Sequence, residues 1–380
     1  MIKFLDLHKQ YLTMKDDIDN AISDVISSSA FIKGKYVEKF EEDFAEYVGI
    51  KYCIGVGNGT DAIEIAIEAL NLPKNSEILV PANSFIATAE AVTRTGHEVV
   101  FCDCNHYNYD IDLIDIKQKI TKRTAAIIVV HLHGYPSAMT DILKIAKENK
   151  IKVIEDCAQA HGAKYENKHV GTFGDIATFS FFPGKILGAY GDGGAIVTNN
   201  RELDERCRMI SNHGRILKYN HEFEGRNSRL DGLQAAILSV KLTHLDEWIT
   251  HRNKLAKMYK SKLEKLVGLP FIHHDRIHAY HLFVIKTDFR DELKTYLKTF
   301  NIETGVHYPN SLPQLPAYKY LNQTESCKFT NLYADKMLSL PIHENMVEED
   351  VIFVSNNIET FLKLIKKIRK KEEKYEQIKG

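Results

Sequence analysis

Ala125-Ala-Ile-Ile-Val-Val130 is apolar at every position. Successive side chains of a strand point to opposite faces, so a run with no polar face reads as a central strand covered by helices on both sides. Working outward, short β-branched runs recur between helical segments at Tyr52–Val56, Glu77–Val80, Glu98–Cys102, Ala125–His131, Ile151–Glu155, Ile176–Phe181 and Gly194–Thr198. That alternation argues for an α/β layer. After Arg229 the pattern changes. A helical stretch is expected from Leu230 to about Leu266, with aliphatic residues at Leu233, Ile237, Val240, Leu242 and Leu245. It reads as an arm between two domains: residues 1–229 as an N-terminal segment and large domain, 230–266 as the linking helix, and 267–380 as a small C-terminal domain. The last part holds a strand-like Tyr280–Lys286, a helical Asp291–Phe300 and a loop rich in Tyr and Pro from His307 to Tyr320.

The 380 residues carry 50 Lys and Arg against 51 Asp and Glu, and 44% are hydrophobic, enough for a substantial core. The near-neutral balance leaves no basic footprint, so no nucleic acid is expected as a partner. The Lys-rich end, Lys366 to Lys374, is interleaved with glutamates and reads as a solvated helix face. No apolar run is long enough to span a bilayer, and Met1-Ile-Lys-Phe-Leu-Asp-Leu lacks a signal core, so the expectation is a cytoplasmic protein without a membrane partner. Cys53, Cys102, Cys104, Cys157, Cys207 and Cys327 show no metal-type spacing, and Cys102-Asp-Cys104 is expected to put both thiols on one side of a strand. The histidines of His273-His-Asp-Arg-Ile-His278-Ala-Tyr-His281 also lack the regular spacing of a metal site, and no metal is expected.

The candidate chemistry centres on Thr178-Phe-Ser-Phe-Phe-Pro-Gly-Lys185-Ile-Leu-Gly-Ala-Tyr-Gly-Asp-Gly-Gly-Ala195. Aromatic and glycine residues surround one lysine there, and no acidic residue adjoins it. An ammonium held near apolar walls loses hydration and becomes a neutral, nucleophilic amine. A loop lysine between two strands is the plainer reading. Three further stretches bear on the choice. Gly55-Val-Gly-Asn-Gly-Thr60 follows a strand and opens the helix Asp61–Leu70, where free N–H groups and the Thr60 hydroxyl could cradle a phosphate, although many such turns bind nothing. Asp156, in Ile154-Glu-Asp156-Cys-Ala-Gln159-Ala-His161-Gly, falls at the carboxyl end of a buried strand, where it can hold a pyridine nitrogen protonated, cap a helix, or do both. Gly225-Arg-Asn227-Ser-Arg229-Leu-Asp231, preceded by Asn212-His-Gly-Arg215, can bind anions or pair with carboxylates.

Taken together these stretches resemble the DegT/DnrJ/EryC1/StrS sugar aminotransferase family. The resemblance runs in order through Phe4-Leu-Asp-Leu, Gly57-Asn-Gly-Thr60-Asp-Ala, Pro81-Ala-Asn-Ser-Phe85-Ile-Ala-Thr, Glu155-Asp156-Cys-Ala-Gln159-Ala-His161-Gly, Ser180-Phe-Phe-Pro-Gly-Lys185 and Asn227-Ser-Arg-Leu-Asp231. It implies a fold-type I, aspartate-aminotransferase-like α/β fold: a large domain with a mostly parallel seven-stranded sheet and a smaller C-terminal α/β domain. It also implies pyridoxal 5′-phosphate as cofactor, cycling through its pyridoxamine form. Lys185 would carry the cofactor covalently and move protons, Asp156 would pair with the pyridinium nitrogen, and Gly59, Thr60 and Ser180 would hold the phosphate. Phe85 would lie against a ring face and Gln159 near the phenolic oxygen. Asn227 would reach the phosphate across the interface of a homodimer with shared active sites.

The implied reaction takes an amino group from L-glutamate, releasing 2-oxoglutarate, and delivers it to a nucleotide-linked ketosugar. Leu187-Gly-Ala-Tyr190-Gly-Asp-Gly-Gly resembles the branch acting on 3-keto sugars. That resemblance favours a dTDP-3-keto-6-deoxyhexose and a dTDP-3-amino-3,6-dideoxyhexose product of the galactose or glucose series, destined for glycan biosynthesis. A UDP-3-keto-uronate is the nearest alternative, needing a cation for its carboxylate, and a 4-keto-6-deoxyhexose is another. Tyr190, His307 and Tyr308 are the candidate contacts to the sugar or nucleotide. Sugar dehydratases of the family carry histidine in place of the anchoring lysine, so Lys185 argues against that chemistry. A non-catalytic sugar-binding regulator would have no need of it.

Overall fold

In the computed structural model the backbone is described for residues 1–379 and the side chains for residues 1–369. Seven strands form one sheet: β1 (Tyr52–Val56), β2 (Glu77–Pro81), β3 (Glu98–Cys102), β4 (Thr124–Val130), β5 (Lys152–Asp156), β6 (Ile176–Ser180) and β7 (Gly194–Thr198). Their order is β1-β7-β6-β5-β4-β2-β3. Only β7 runs against its neighbours. The sheet is therefore mostly parallel, as the resemblance implied.

The apolar stretch in β4 sits near the middle of this order, and its alternation explains why it has no polar face. Ala126, Ile128 and Val130 pack into one buried cluster with helices Gly59–Ala69 and Ile86–Arg94. Ile127 and Val129 enter another, against the helix Met139–Asn149. Both faces are thus roofed by helices, the condition under which a parallel sheet is stable.

At β6 the same alternation separates packing from chemistry. Phe179 and Phe181 meet the helix Lys35–Val48, with Phe44 standing edge-on to Phe179 at 5.0 Å and to Phe181 at 5.4 Å. The intervening Ser180 is left facing the other way, toward a cavity. Because β1, β2, β4, β5 and β6 run in parallel, their carboxyl ends all emerge on one edge. The turns carrying Gly57–Thr60, Ser84–Thr88, Asp156 and Lys185 leave from that edge, where open α/β sheets collect ligands.

The helical stretch expected from Leu230 to about Leu266 is two helices, Gly232–Leu242 and Leu245–Leu263, broken at Thr243–His244. The change of core falls later, within the second helix. Ala235, Ile237, Leu238 and, past the break, Trp248 and Ile249 pack against the β6 and β7 side of the sheet. Leu255, Ala256, Tyr259 and Leu263 instead join a separate core with strands β8 (Phe283–Lys286) and β9 (Met337–Leu340) and with Val351, Val354 and Ile358. The two cysteines of Cys102-Asp-Cys104 do not share a strand face, because β3 ends at Cys102 and each thiol is buried in a different cluster. The Lys366–Lys374 segment lies on the helix Glu348–Lys379, and its side chains beyond residue 369 lie outside the described residues. No helix among the described residues is long and apolar enough to cross a membrane.

The edge-on packing of Phe44 makes it a sensitive reporter of this core. Phe44→Ala is expected to cost about 3–5 kcal/mol in urea unfolding of the apoprotein, because a ring-sized cavity is left behind. A loss below about 1 kcal/mol would mean that the aromatic layer collapses freely around the gap.

Candidate active site

Lys185 sits on the wall of a cavity of about 740 Å³ at the carboxyl edge of the sheet. Gly59, Thr60, Phe85, Asp156, Gln159, Ser180, His307 and Tyr308 share that wall. So do residues that the sequence reading did not single out: Thr88, Ser84, Arg94, Asp192, His281 and, from the N-terminal segment, Phe4 and Leu5.

Two ionisable groups dominate the interior. Loss of hydration lowers the Lys185 ammonium to about 8, against the opposing pull of the Asp156 carboxylate. Burial pushes the Asp156 carboxyl above its usual range, while the Ala158 N–H, the Thr88 hydroxyl and the charge of Lys185 pull it back. Asp156 is 4% exposed, and its two side-chain donors, Ala158 N at 3.1 Å and Thr88 Oγ1 at 3.0 Å, bring no positive charge. The neighbouring imidazoles are neutral: burial takes His161 down to about 3 and His307 down to about 4. The cavity therefore contains an amine that is readily uncharged and a carboxylate short of a cationic partner.

Three local arrangements fit a flat, phosphorylated, pyridine-containing cofactor. First, Asn58 caps the helix Gly59–Ala69 by accepting the Asp61 N–H at 2.8 Å, which leaves the first-turn N–H groups of Gly59 and Thr60 without intrahelical acceptors. This turn lies tight against its neighbours: a Cβ on Gly59 would come 2.6 Å from Ser180 Cβ, and one on Gly194 would come 2.5 Å from the Asn58 carbonyl. Second, the Gln159 side chain is oriented by the His133 N–H, which donates to its Oε1 at 2.7 Å, so its amide N–H donates into the cavity, to Tyr308 Oη at 3.0 Å. Third, Phe85 and Tyr308 flank the cavity with ring centroids 5.7 Å apart. A ring nitrogen bearing a proton is the cationic group that Asp156 lacks.

Two candidates stand elsewhere. Tyr190 does not line this cavity; its ring lies 4.3 Å beneath the Lys241 ammonium and its N–H donates to Gln234 Oε1 at 2.8 Å. Asn227 is also outside, bridged to Asn212 through the backbone, while the next residue, Ser228, accepts from Gly57 N at 3.0 Å and donates to Asp61 at 2.6 Å. Behind the site, His131, Glu155 and Cys157 lie close together. Their lone pairs are already used: Glu155 accepts from Gly171, Phe173 and Gly174 N–H groups and from His131 Nε2, and His131 Nδ1 accepts from Ser137 N–H. Of the cluster His273–His281, His273 pairs with Asp275 at 2.6 Å and His278 stacks on Tyr280 at 3.9 Å.

A seven-stranded α/β layer with a poorly hydrated lysine, a buried carboxylate and a glycine turn at a helix start on one edge is suited to carbonyl–amine chemistry working through a pyridine cofactor. The chain belongs to the DegT/DnrJ/EryC1/StrS aminotransferase family, which matches residues 12–359, and is a pyridoxal-phosphate-dependent sugar aminotransferase. It is 44% identical over 352 residues to a dTDP-3-amino-3,6-dideoxy-alpha-D-galactopyranose transaminase of Aneurinibacillus thermoaerophilus, covering 92% of this chain and 97% of that protein. It is 40% identical over 344 residues to the UDP-2-acetamido-2-deoxy-3-oxo-D-glucuronate aminotransferase of Pseudomonas aeruginosa, covering 90% and 95%. Among solved structures, DesV of S. venezuelae superposes with a TM-score of 0.92 at 37% identity, over 95% of this chain and 98% of that one. The ntda protein of Bacillus subtilis, solved with bound cofactor PMP, gives 0.88 at 33% identity, over 95% and 85%.

Residues missed in the sequence had faint signals. Ser84 and Thr88 are spaced by one helical turn within Pro81–Thr88, and His281 belongs to a cluster weighed only for metal. Phe4 and Leu5 are distant in sequence from everything they touch, Phe4 stacking on His307 at 5.7 Å.

Two expectations follow from the geometry. Only the free amine condenses with an aldehyde, so uptake of pyridoxal phosphate by apoenzyme should quicken about tenfold per pH unit at low pH. The rise should level off as pH passes the Lys185 value of about 8. In stopped-flow absorbance, a rise continuing toward about 10.4 would show an ordinary lysine. Gly59→Ala should weaken equilibrium binding of pyridoxal phosphate by about ten- to hundredfold, the loss of a charge-assisted hydrogen bond or two as the turn moves off Ser180.

Proposed function

We propose that the enzyme transfers the amino group of L-glutamate to C3 of a dTDP-linked 3-keto-6-deoxyhexose of the galactose or glucose series, giving the dTDP-3-amino-3,6-dideoxyhexose. The observation that carries the reading is the placement of Lys185 and Asp156 on one wall of a cavity large enough for a nucleotide sugar's reacting end. Transamination of a nucleotide-linked keto-sugar is the family's activity. The choice of sugar is supported by the similarity to the Aneurinibacillus thermoaerophilus transaminase, and the 3-keto position, which a UDP-3-keto-uronate would share, by Gly191-Asp-Gly-Gly194 behind the lysine.

When bound, pyridoxal phosphate supplies an electron sink conjugated to the carbon that loses its proton. Gly59, Thr60 and Ser180 bind the phosphate, and Asp156 holds the ring N–H. Gln159 donates to the phenolic oxygen, its amide already turned that way by His133. Phe85 covers a ring face, with Tyr308 beside it. Lys185 removes the proton from the glutamate Cα and, in the second half-reaction, returns one to C3 of the sugar, a double role open to an amine whose ammonium lies at about 8. His307 and Tyr308 contact the sugar.

The chain works as a homodimer in this reading. Asn227 lies outside its own cavity while Ser228 anchors its loop at the phosphate turn, a placement suited to serving the partner's phosphate. Tyr190 belongs to the same group of residues that could act only across the interface. Residues 1–229 and 267–380 act as large and small domains joined by 230–266, supported by the separate core that begins at Leu255. Six buried free cysteines support a reducing, cytoplasmic setting.

A UDP-3-keto-uronate is the second reading. Arg94 lines the cavity and uses its Nε on Glu64 at 2.6 Å, leaving its terminal nitrogens for a carboxylate. The test is a single turnover of pyridoxamine-loaded enzyme with dTDP- and UDP-linked 3-keto and 4-keto sugars, following the return of the pyridoxal absorbance. Return is expected fastest with dTDP-3-keto-6-deoxyhexoses; faster return with the uronate would select the second reading, and with a 4-keto sugar would overturn both.

A further inference from the structure

Asp156 has a support that no part of the reaction described above uses. Thr88 is 1% exposed and Ser84 4% exposed. Thr88 Oγ1 donates to Asp156 Oδ2 at 3.0 Å, and Ser84 Oγ lies 2.8 Å from Thr88 Oγ1. A hydroxyl has one proton. If Thr88 gives it to the carboxylate, Thr88 accepts from Ser84, and the chain has a single direction: Ser84 to Thr88 to Asp156. A protonated Asp156 would reverse it. In the direction that ends on Asp156, the Thr88 hydroxyl pulls that carboxyl down against the effect of burial, and it does so without a cation that would compete with a ring N–H.

The geometry is also restrictive. Oδ1 is held by the Ala158 N–H at 3.1 Å and Oδ2 by Thr88, so the carboxylate cannot rotate without breaking a hydrogen bond in a buried place. Thr88 lies in the first turn of the helix Ile86–Arg94, its N–H donating to the carbonyl of Phe85 at 3.2 Å. One helical turn thus carries both the aromatic ring over the cavity and the hydroxyl that orients the carboxylate at its edge.

We propose that Thr88, backed by Ser84, is a positioning residue that fixes the Asp156 carboxylate in its charged, cavity-facing orientation and thereby keeps the cofactor's ring nitrogen protonated. This rests on the reading of Asp156 as the partner of that nitrogen. The hydroxyl, rather than the bulk of the side chain, carries the effect.

The test compares wild type, Thr88→Val, Thr88→Ser and Asp156→Asn. Pyridoxal phosphate is titrated into each apoprotein by absorbance, and the bleaching of bound cofactor by L-glutamate is followed in single turnovers. Thr88→Val, nearly isosteric but without the donor, is expected to weaken cofactor binding and slow maximal bleaching by about ten- to hundredfold each, the loss of one hydrogen bond to a charged group. The glutamate concentration giving half-maximal rate should stay within about threefold, since the donor's own contacts are untouched. Thr88→Ser, which keeps the hydroxyl, should recover most of both losses. Equal losses in Thr88→Val and Thr88→Ser would overturn the proposal by assigning Thr88 to packing. Wild-type binding and bleaching in Thr88→Val, with Asp156→Asn impaired, would overturn it while leaving the role of Asp156 intact. Unimpaired Asp156→Asn would remove the reading on which it rests.

Discussion

The site depends on keeping one carboxylate charged where water hardly reaches it. Asp156 is buried at the end of a central strand, and burial pushes its carboxyl above the usual range. A backbone N–H and a threonine hydroxyl offset part of that cost without cancelling the charge. The unmet remainder is what the pairing with a protonated pyridine proposed above would satisfy. Lys185 answers the same constraint from the other side. Poor hydration makes it a usable amine, and the neutral imidazoles around it add no charge that would depress it further.

The architecture follows from holding those two groups at fixed separation. Parallel strands bring several turns to one edge, and the alternation of β6 turns Ser180 to the cavity by committing Phe179 and Phe181 to the aromatic layer against Phe44. The phosphate turn is positioned by an absence of side chains. Gly59 against Ser180 and Gly194 against Asn58 bring backbone to backbone at distances that a Cβ would forbid. The Gly-Asp-Gly-Gly pattern beyond the lysine therefore has a mechanical reason within this chain, because its last glycine supports the turn that precedes the first helix of the site.

Much of this was legible in the sequence because its physics is local. Strand alternation, the apolar β4 and a carboxylate at a strand's end can be read from neighbouring residues, and the seven strands of the large sheet fall within a residue of expectation, whereas the run expected over Tyr280–Lys286 is a strand only from Phe283. What was not legible depends on distant partners. The helical pattern after Leu230 serves two cores, the change falling between Ile249 and Leu255, and its apolar spacing continues through the break at Thr243–His244. Tyr190 has the composition of a ligand contact, yet the buried Lys241 ammonium claims its ring. The Ser84–Thr88 pair looks like ordinary helix-start polarity until β5 places Asp156 beside it. The opening Phe4-Leu-Asp-Leu carries a family resemblance, but nothing local says that it walls the cavity.

That last arrangement bears on how the protein is made. Ile2 bridges to Ile302, the Phe4 N–H donates to Glu303 at 2.9 Å, and Phe4 stacks on His307. The pocket is thus walled by Phe4 and Leu5 and by residues about 300 positions further along the chain, translated much later. A nascent chain that has passed β7 already contains Lys185, Asp156 and the Gly57–Thr60 turn, but Phe4 does not yet have the His307 ring to stack on. Cofactor retention in that chain lacks the Phe4, His307 and Tyr308 walls, so full closure of the site is confined to chains completed well into the C-terminal part. Joining Phe4 to His307 at this one wall makes translation past Tyr308 a condition for a finished pocket.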